Sequence, residues 1–271
     1  MMYTRGDILR YEILGPLRVA DERGTSFIRT QKAQTLLAVL LIRFNQVVTK
    51  GQLMAEIWGE HIPRRGSACI HVYISQLRKF LDRPNRRDSP IMTVQPGYLL
   101  SLGSDELDLN IFQDLADKGR SCAREGEHDK AAAYFEEALS LWRGPLLEEL
   151  DTGPIMDGFA TWLDELRMEC IEMSVDSQLE TGRHRELVGR LYSLTAEYPL
   201  RESFYRQLML ALYRAERQAD ALEVYQSARR KLHDELGLEP CRALQEVHHA
   251  VLAADSRLDV NASVPLELQR A

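Results

Sequence analysis

The chain has 271 residues, 45% hydrophobic and 28% charged, a composition that suits a soluble, folded protein long enough for two ordinary domains. No apolar run approaches the ~20 residues of a membrane span, and the N-terminus MMYTRGDILRYEIL lacks the build of a signal peptide, so a cytoplasmic protein with no membrane partner is expected. The net charge of -7 hides a division: residues 1–103 hold 15 Lys and Arg against 8 Asp and Glu, whereas residues 104–271 hold 19 against 33. A basic part joined to an acidic part is the pattern of a polyanion-binding module attached to something that is not one. Within the basic part, the stretch from Arg64 to Arg87 carries seven basic residues and one acid, Asp82. Cys69, Cys122, Cys170 and Cys241 have neither disulfide-framework nor zinc-site spacing, so no metal is expected.

From Ile8 to Phe27 short apolar pieces alternate, with Leu9, Tyr11 and Ile13 on one face and turns at Gly15-Pro16 and Glu22-Arg23-Gly24. Small antiparallel strands are predicted. Ala33, Leu36, Leu37, Leu40, Leu41 and Phe44 then recur along one helical stripe, which predicts a core helix. After a loop at Asn45 to Val48, Thr49 and Gln52 have capping-box spacing at the start of a second helix that buries Leu53 and Ile57. Gly59 is placed to stop it.

Pro63 introduces a third helix. At about 100° per residue, Ile70, Tyr73, Ile74, Leu77, Phe80 and Leu81 share one direction. Arg64, Ala68, His71, Ser75, Arg78 and Lys79 gather on the opposite side, with Val72 at its edge. The helix is therefore two-faced. Gly66 near its start costs about 1 kcal/mol of helix propensity relative to Ala and is expected to loosen the first turn. Residues 91–102 read as strand, tight turn at Gln95-Pro-Gly97, and strand. Three helices followed by a hairpin is the order of parts in a winged helix-turn-helix, whose last helix enters the major groove.

The second part has another period. Gly126 is followed by Ala131, Phe135 and Ala138 at the spacing of the second helix of a tetratricopeptide repeat. The register recurs at Gly182 with Leu187, Leu191, Leu194 and Pro199, and 34 residues later at Glu216 with Ala221, Tyr225 and Ala228. Ile171 and Tyr205 take the large apolar positions of the first helices. Trp142, Trp162, Tyr205 and Tyr225 are read as repeat core, His248-His249 as a surface feature. Stacked helix pairs of this kind build a curved surface suited to proteins or peptides. The fold class is thus mainly α with small β, a winged helix followed by an all-α tetratricopeptide-like repeat domain.

LWRGPLLEEL at 141–150 and the run from WLDELRMEC to DELGLEP at 162–240 resemble the bacterial transcriptional activation domain. With VVTKGQLMAEIWG, IHVYISQLRKFL and VQPGYLL ahead of them, the chain resembles the small form of the Streptomyces antibiotic regulatory protein family over residues 8–253. The resemblance implies an OmpR-type winged helix in residues 1–107, an activation domain in 108–255 and a flexible tail in 256–271. It also implies a transcriptional activator that binds direct repeats at promoters of an antibiotic biosynthetic cluster as head-to-tail protomers. RNA polymerase, through its sigma and alpha subunits, is the implied protein partner.

The candidate DNA-contacting residues of the recognition helix are Arg64, Arg65, His71, Ser75, Arg78 and Lys79; those of the wing are Thr93, Gln95 and Gly97. The cations suit phosphates, or guanine O6 and N7 where an Arg reaches a base edge; a solvated helix face is the alternative. Turn geometry explains Gly97 equally well. Arg83, Arg86 and Arg87 are candidates for the DNA backbone or for polymerase, and the sequence does not separate these. Tyr98 is read as a packing residue. No carboxylate or second His accompanies His71 at ligand spacing, and no nucleophile-base pair or phosphate loop occurs, so neither catalytic residues nor a cofactor are expected. Two other function classes stay open: a helical-repeat adaptor and a ligand-sensing repressor.

Overall fold

A computed structural model describes residues 8–83, 88–146, 150 and 153–259. They form two compact units, one comprising residues up to Ala116 together with Glu137–Met168, the other Asp117–Glu136 and the residues from Glu169 onward.

The first unit opens with three short antiparallel strands, β1 (Arg10–Glu12), β2 (Arg18–Asp21) and β3 (Gly24–Ser26), in the expected region. Helix α1 (Gln31–Ile42) buries Ala33, Leu36, Leu37, Leu40 and Leu41. It stops two residues short of Phe44, because Asn45 turns into a positive φ of 59° and donates its amide to Leu100 O at 2.8 Å. The expected loop at Asn45 to Val48 ends in a two-residue strand, β4 (Val48–Thr49). Helix α2 (Lys50–Trp58) follows directly and carries the full capping box: Gln52 N donates to Thr49 Oγ1, and Thr49 N to Gln52 Oε1.

Helix α3 (Gly66–Phe80) leads to a hairpin of β5 (Ile91–Val94) and β6 (Gly97–Leu100), with β4 pairing on the other side of β6. Gly97 is buried in β6, and a Cβ there would lie 1.9 Å from Val48 O and 2.7 Å from Thr49 Cα. Close approach to β4, rather than turn conformation, therefore requires glycine at this position. A final short strand, β7 (Glu106–Leu107), runs parallel to β1 and closes the N-terminal sheet in the order β3-β2-β1-β7. Asp105 beside it accepts from Leu9 N at 3.0 Å and from the Tyr11 hydroxyl at 3.2 Å.

Helices α4 (Asp108–Arg124), α5 (His128–Ser140) and α6 (Pro154–Glu180) contain the points where the two units divide. Glu137–Met168 belong with the winged helix for specific reasons. Arg143 donates its amide to Leu14 O at 2.9 Å and reaches Asp108 at 3.6 Å. Glu56 of α2, 2% exposed, accepts from the free amides at the start of α6, Ile155 N at 2.7 Å and Met156 N at 3.3 Å. Gly153 lets them meet: a Cβ there would stand 2.8 Å from Glu56 Cα.

The second unit continues with α7 (His184–Glu197), α8 (Glu202–Arg214), α9 (Gln218–Leu236) and α10 (Arg242–Leu252). The predicted repeat positions Ala131, Phe135, Ala138, Leu187, Leu191, Leu194, Ala221, Tyr225 and Ala228 are all buried, as are Ile171 and Tyr205. The turns before α5, α7 and α9 use the left-handed conformation, at Gly126 (φ 78°), Gly182 (φ 79°) and Glu216 (φ 63°). Trp162 departs from expectation: it is 44% exposed and leans on Phe159 instead of filling a core. Cys170 is buried and its thiol is pushed up to about 12 by desolvation, which leaves it an inert packing group at neutral pH.

Candidate nucleic-acid interface

Helix α3 has the two faces its period predicts. Ile70, Ile74, Leu77 and Leu81 are buried, Tyr73 and Phe80 half-buried, while Ala68, His71, Val72, Ser75 and Lys79 are exposed. The helix begins later than expected. Gly66 N donates to Pro63 O at 2.8 Å, and Arg65 O accepts the first helical bond from Cys69 N at 3.0 Å. Arg64 and Arg65 thus stand in the exposed turn before the helix, not within it. Gly66 also has a packing role that its propensity does not reveal: a Cβ there would lie 3.1 Å from Ile62 Cγ2 and 3.2 Å from Met54 Sδ.

Arg78 is half-buried because it ties α3 to the wing. Its Nε donates to Ile91 O at 3.0 Å and its Nη2 to Thr93 Oγ1 at 2.8 Å. Thr93 is therefore the acceptor of a positioning bond, and Gln95 is left as the exposed polar side chain at the hairpin tip. Gly97, expected at that tip, is instead buried against β4.

His71 is anchored from beneath. Its Nδ1 lies 2.7 Å from the hydroxyl of Tyr98, a side chain 1% exposed, and its Nε2 lies 3.3 Å from Lys50 Nζ. Burial pushes the Tyr98 phenol up, with the Arg78 charge opposing, so it stays neutral. Tyr98 packs as expected, and in addition fixes the ring above it. The sequence reading missed Lys50. Its place just after the capping Thr49, at the start of the helix that precedes α3, was the available signal.

The expected surface role of Arg83 is corrected. Its guanidinium reaches Asp21 of β2 at 3.0 Å with both side chains largely buried, and it also donates to Phe80 O and Asp82 O. It is a strut between α3 and the N-terminal sheet. Arg86 and Arg87 lie outside the described residues. Arg64, Arg65 and Lys79 are exposed, and no carboxylate among the described residues forms an ion pair with them. Among the described residues no group of three His, Cys, Asp or Glu is placed to hold a metal, and no helix is long and apolar enough to cross a membrane.

This arrangement of helices and wing is matched by known proteins. Residues 24–100 match the family model "Transcriptional regulatory protein, C terminal", and residues 107–252 match "Bacterial transcriptional activator domain". Regulatory protein DnrI of Streptomyces peucetius is 34% identical over 93% of this chain and 95% of its own length. The chain belongs to the Streptomyces antibiotic regulatory protein family. Members of this family are transcriptional regulators and not enzymes. Regulatory protein AfsR of Streptomyces griseus, another relative, is 37% identical over 96% of the chain, which spans about a quarter of AfsR (26%). A solved structure of Mycobacterium tuberculosis EmbR in complex with a low affinity phosphopeptide superposes with a TM-score of 0.85 at 31% identity, covering 91% of this chain and 65% of EmbR. That similarity extends over the winged-helix region and the helical domain alike.

Proposed function

We propose that this family member activates transcription in the cytoplasm by binding direct repeats at promoters of a secondary-metabolite cluster and recruiting RNA polymerase. Residues 1–107 supply the DNA-binding function, residues 108–255 the activation function, and residues 256–271 a tail. The observation that carries the reading is the exposed face of α3: Ser75 and His71 in its middle, Arg64, Arg65 and Lys79 around them with no ion pair among the described residues, and a wing locked alongside by Arg78. Such a surface lowers its energy against a polyanion by releasing condensed counterions, and a helix offered this way fits the major groove.

Two protomers on direct repeats about one turn, ~10 bp, apart stand head-to-tail, since direct repeats exclude a two-fold axis. The acidic excess beyond residue 103 repels DNA and turns the basic part toward it. The activation domain supports the neighbouring protomer and contacts the sigma and alpha subunits of polymerase. Footprinting on the promoters beside the protein's own gene, with and without polymerase, tests this: two protected direct repeats that extend over the promoter when polymerase is added are expected. Protection of an inverted repeat, or of nothing, would contradict it.

A ligand-responsive repressor is the second reading, favoured by an open cleft of about 770 Å³ between α7, α8 and α9, lined by Tyr192, Tyr205, Leu208, Glu223, Arg230 and Lys231. It predicts that adding the protein lowers transcription in a purified system.

A further inference from the structure

We infer that Lys50, carried by α2, makes a phosphate contact at the centre of this face, and that His71 is a positioning residue that aims it rather than a reader of bases. The inference rests on the DNA-binding reading above and assigns one of its contacts.

Donor and acceptor chemistry sets the protons. An ammonium group can only donate, so His71 Nε2, 3.3 Å from Lys50 Nζ, must be the acceptor. With Nε2 accepting, the ring proton sits on Nδ1, which donates to the Tyr98 hydroxyl oxygen at 2.7 Å. Both ring nitrogens are occupied, and no polar edge of His71 is left for a base. The ring itself is rigidly placed, edge-on to Tyr98 with centroids 6.1 Å apart, and Tyr98 is paired in β6 with Val48 on one side and Thr93 on the other.

Lys50 has donors to spare. Of its three N–H groups one is directed at His71, and no carboxylate pairs with it among the described residues. Nor does it stabilise its own helix: as the first residue of α2 it sits where the helix dipole opposes a cation, at a cost of about 0.3–1 kcal/mol. A lysine there, held against the ring of His71 that a buried tyrosine supports, is placed for an anion that the described residues do not supply. In a helix-turn-helix the helix before the recognition helix crosses the sugar-phosphate backbone, so the anion is a phosphodiester oxygen.

The test is a fluorescence-anisotropy titration of the full chain on a direct-repeat promoter fragment over a range of salt concentrations. Lys50→Gln should weaken binding roughly fivefold per protomer at about 0.15 M salt and lower the log-log salt slope by about 0.9 per protomer, equally for sequence variants of the site. His71→Ala should reproduce that loss, the double variant should be no weaker than Lys50→Gln, and His71→Gln, which restores an acceptor near the Nε2 position, should recover part of it. Circular dichroism of each variant should match the parent. The inference is overturned if His71→Ala relaxes base preference at one position and adds to Lys50→Gln, since His71 would then read a base itself, or if Lys50→Gln leaves the salt slope unchanged. A parent protein with no salt-dependent affinity would overturn the DNA-binding reading as well.

Discussion

Arg78 on α3 donates through Nη2 to Thr93 Oγ1 on β5 at 2.8 Å, so the last helix of the winged-helix region and the hairpin beside it are held by one side chain. A second bond from the same guanidinium, to Ile91 O at 3.0 Å, fixes its plane. This gives Arg78 two separable roles, cation and brace. Arg78→Ala should lose both, destabilising the first unit by about 1–3 kcal/mol and weakening promoter binding with a flatter salt dependence. Thr93→Val should lose about 0.5–1.5 kcal/mol and leave the salt slope as it was. Denaturant unfolding and salt-dependent titrations of the two variants check this.

Glu56 offers a test of how the first unit is assembled. Glu56→Ala leaves the amides of Ile155 and Met156 without their acceptor in a largely buried place, and should cost about 1–3 kcal/mol in denaturant unfolding. Glu56→Gln keeps one acceptor oxygen and should cost less. Equal stability of all three proteins would show that the cap is idle.

The third repeat turn is strained where the first two are not. Glu216 holds φ at 63°, a conformation that Gly126 and Gly182 adopt without penalty from a Cβ. Glu216→Gly should therefore raise stability by up to about 1 kcal/mol, the relief of strain being partly offset by the greater freedom of glycine in the unfolded chain. Gly182→Ala should lower it. Melting temperatures that move the other way would contradict the assignment of these turns.

Two histidines are placed to make the second unit sensitive to mild acid. His248 stacks on Tyr225 at 3.8 Å, not free on the surface as the sequence suggests, and burial followed by the His249 charge holds it below the ordinary 6.5. Burial, then the charges of Arg214 and Arg185, does the same to His184. Groups of lowered pKa bind more protons when unfolded, so their contribution to stability is present above 6.5 and is lost as pH falls through the folded values. Unfolding midpoints should drop as pH falls below 6.5, and the combination of His248→Phe with His184→Gln should flatten the slope. An unchanged slope in that variant would assign the acid sensitivity elsewhere.

What the sequence made legible was periodic or local. The two faces of α3 follow from its helical period, and the Thr49–Gln52 box from a spacing of three. What it hid was set by partners far along the chain. Strands β4 and β7 are two residues long, too short to show alternation, and exist only through pairing with β6 and β1. Arg83 looks like part of a basic surface until folding brings Asp21 beneath it. Gly97 looks like a turn residue until β4 arrives against it. Lys50 is a lone cation in sequence, and joins the candidate interface only because Tyr98 and His71 stack up beside α2.

The most direct test of the central claim is the salt dependence of binding to a direct-repeat promoter fragment, comparing the parent with a variant in which Arg64, Arg65 and Lys79 are all glutamine. The expected result is high affinity that falls linearly on a log-log plot against salt, with the variant folded but its slope reduced by about 0.9 for every phosphate it no longer neutralises. Equal affinity and slope in the two proteins would show that this face does not meet DNA.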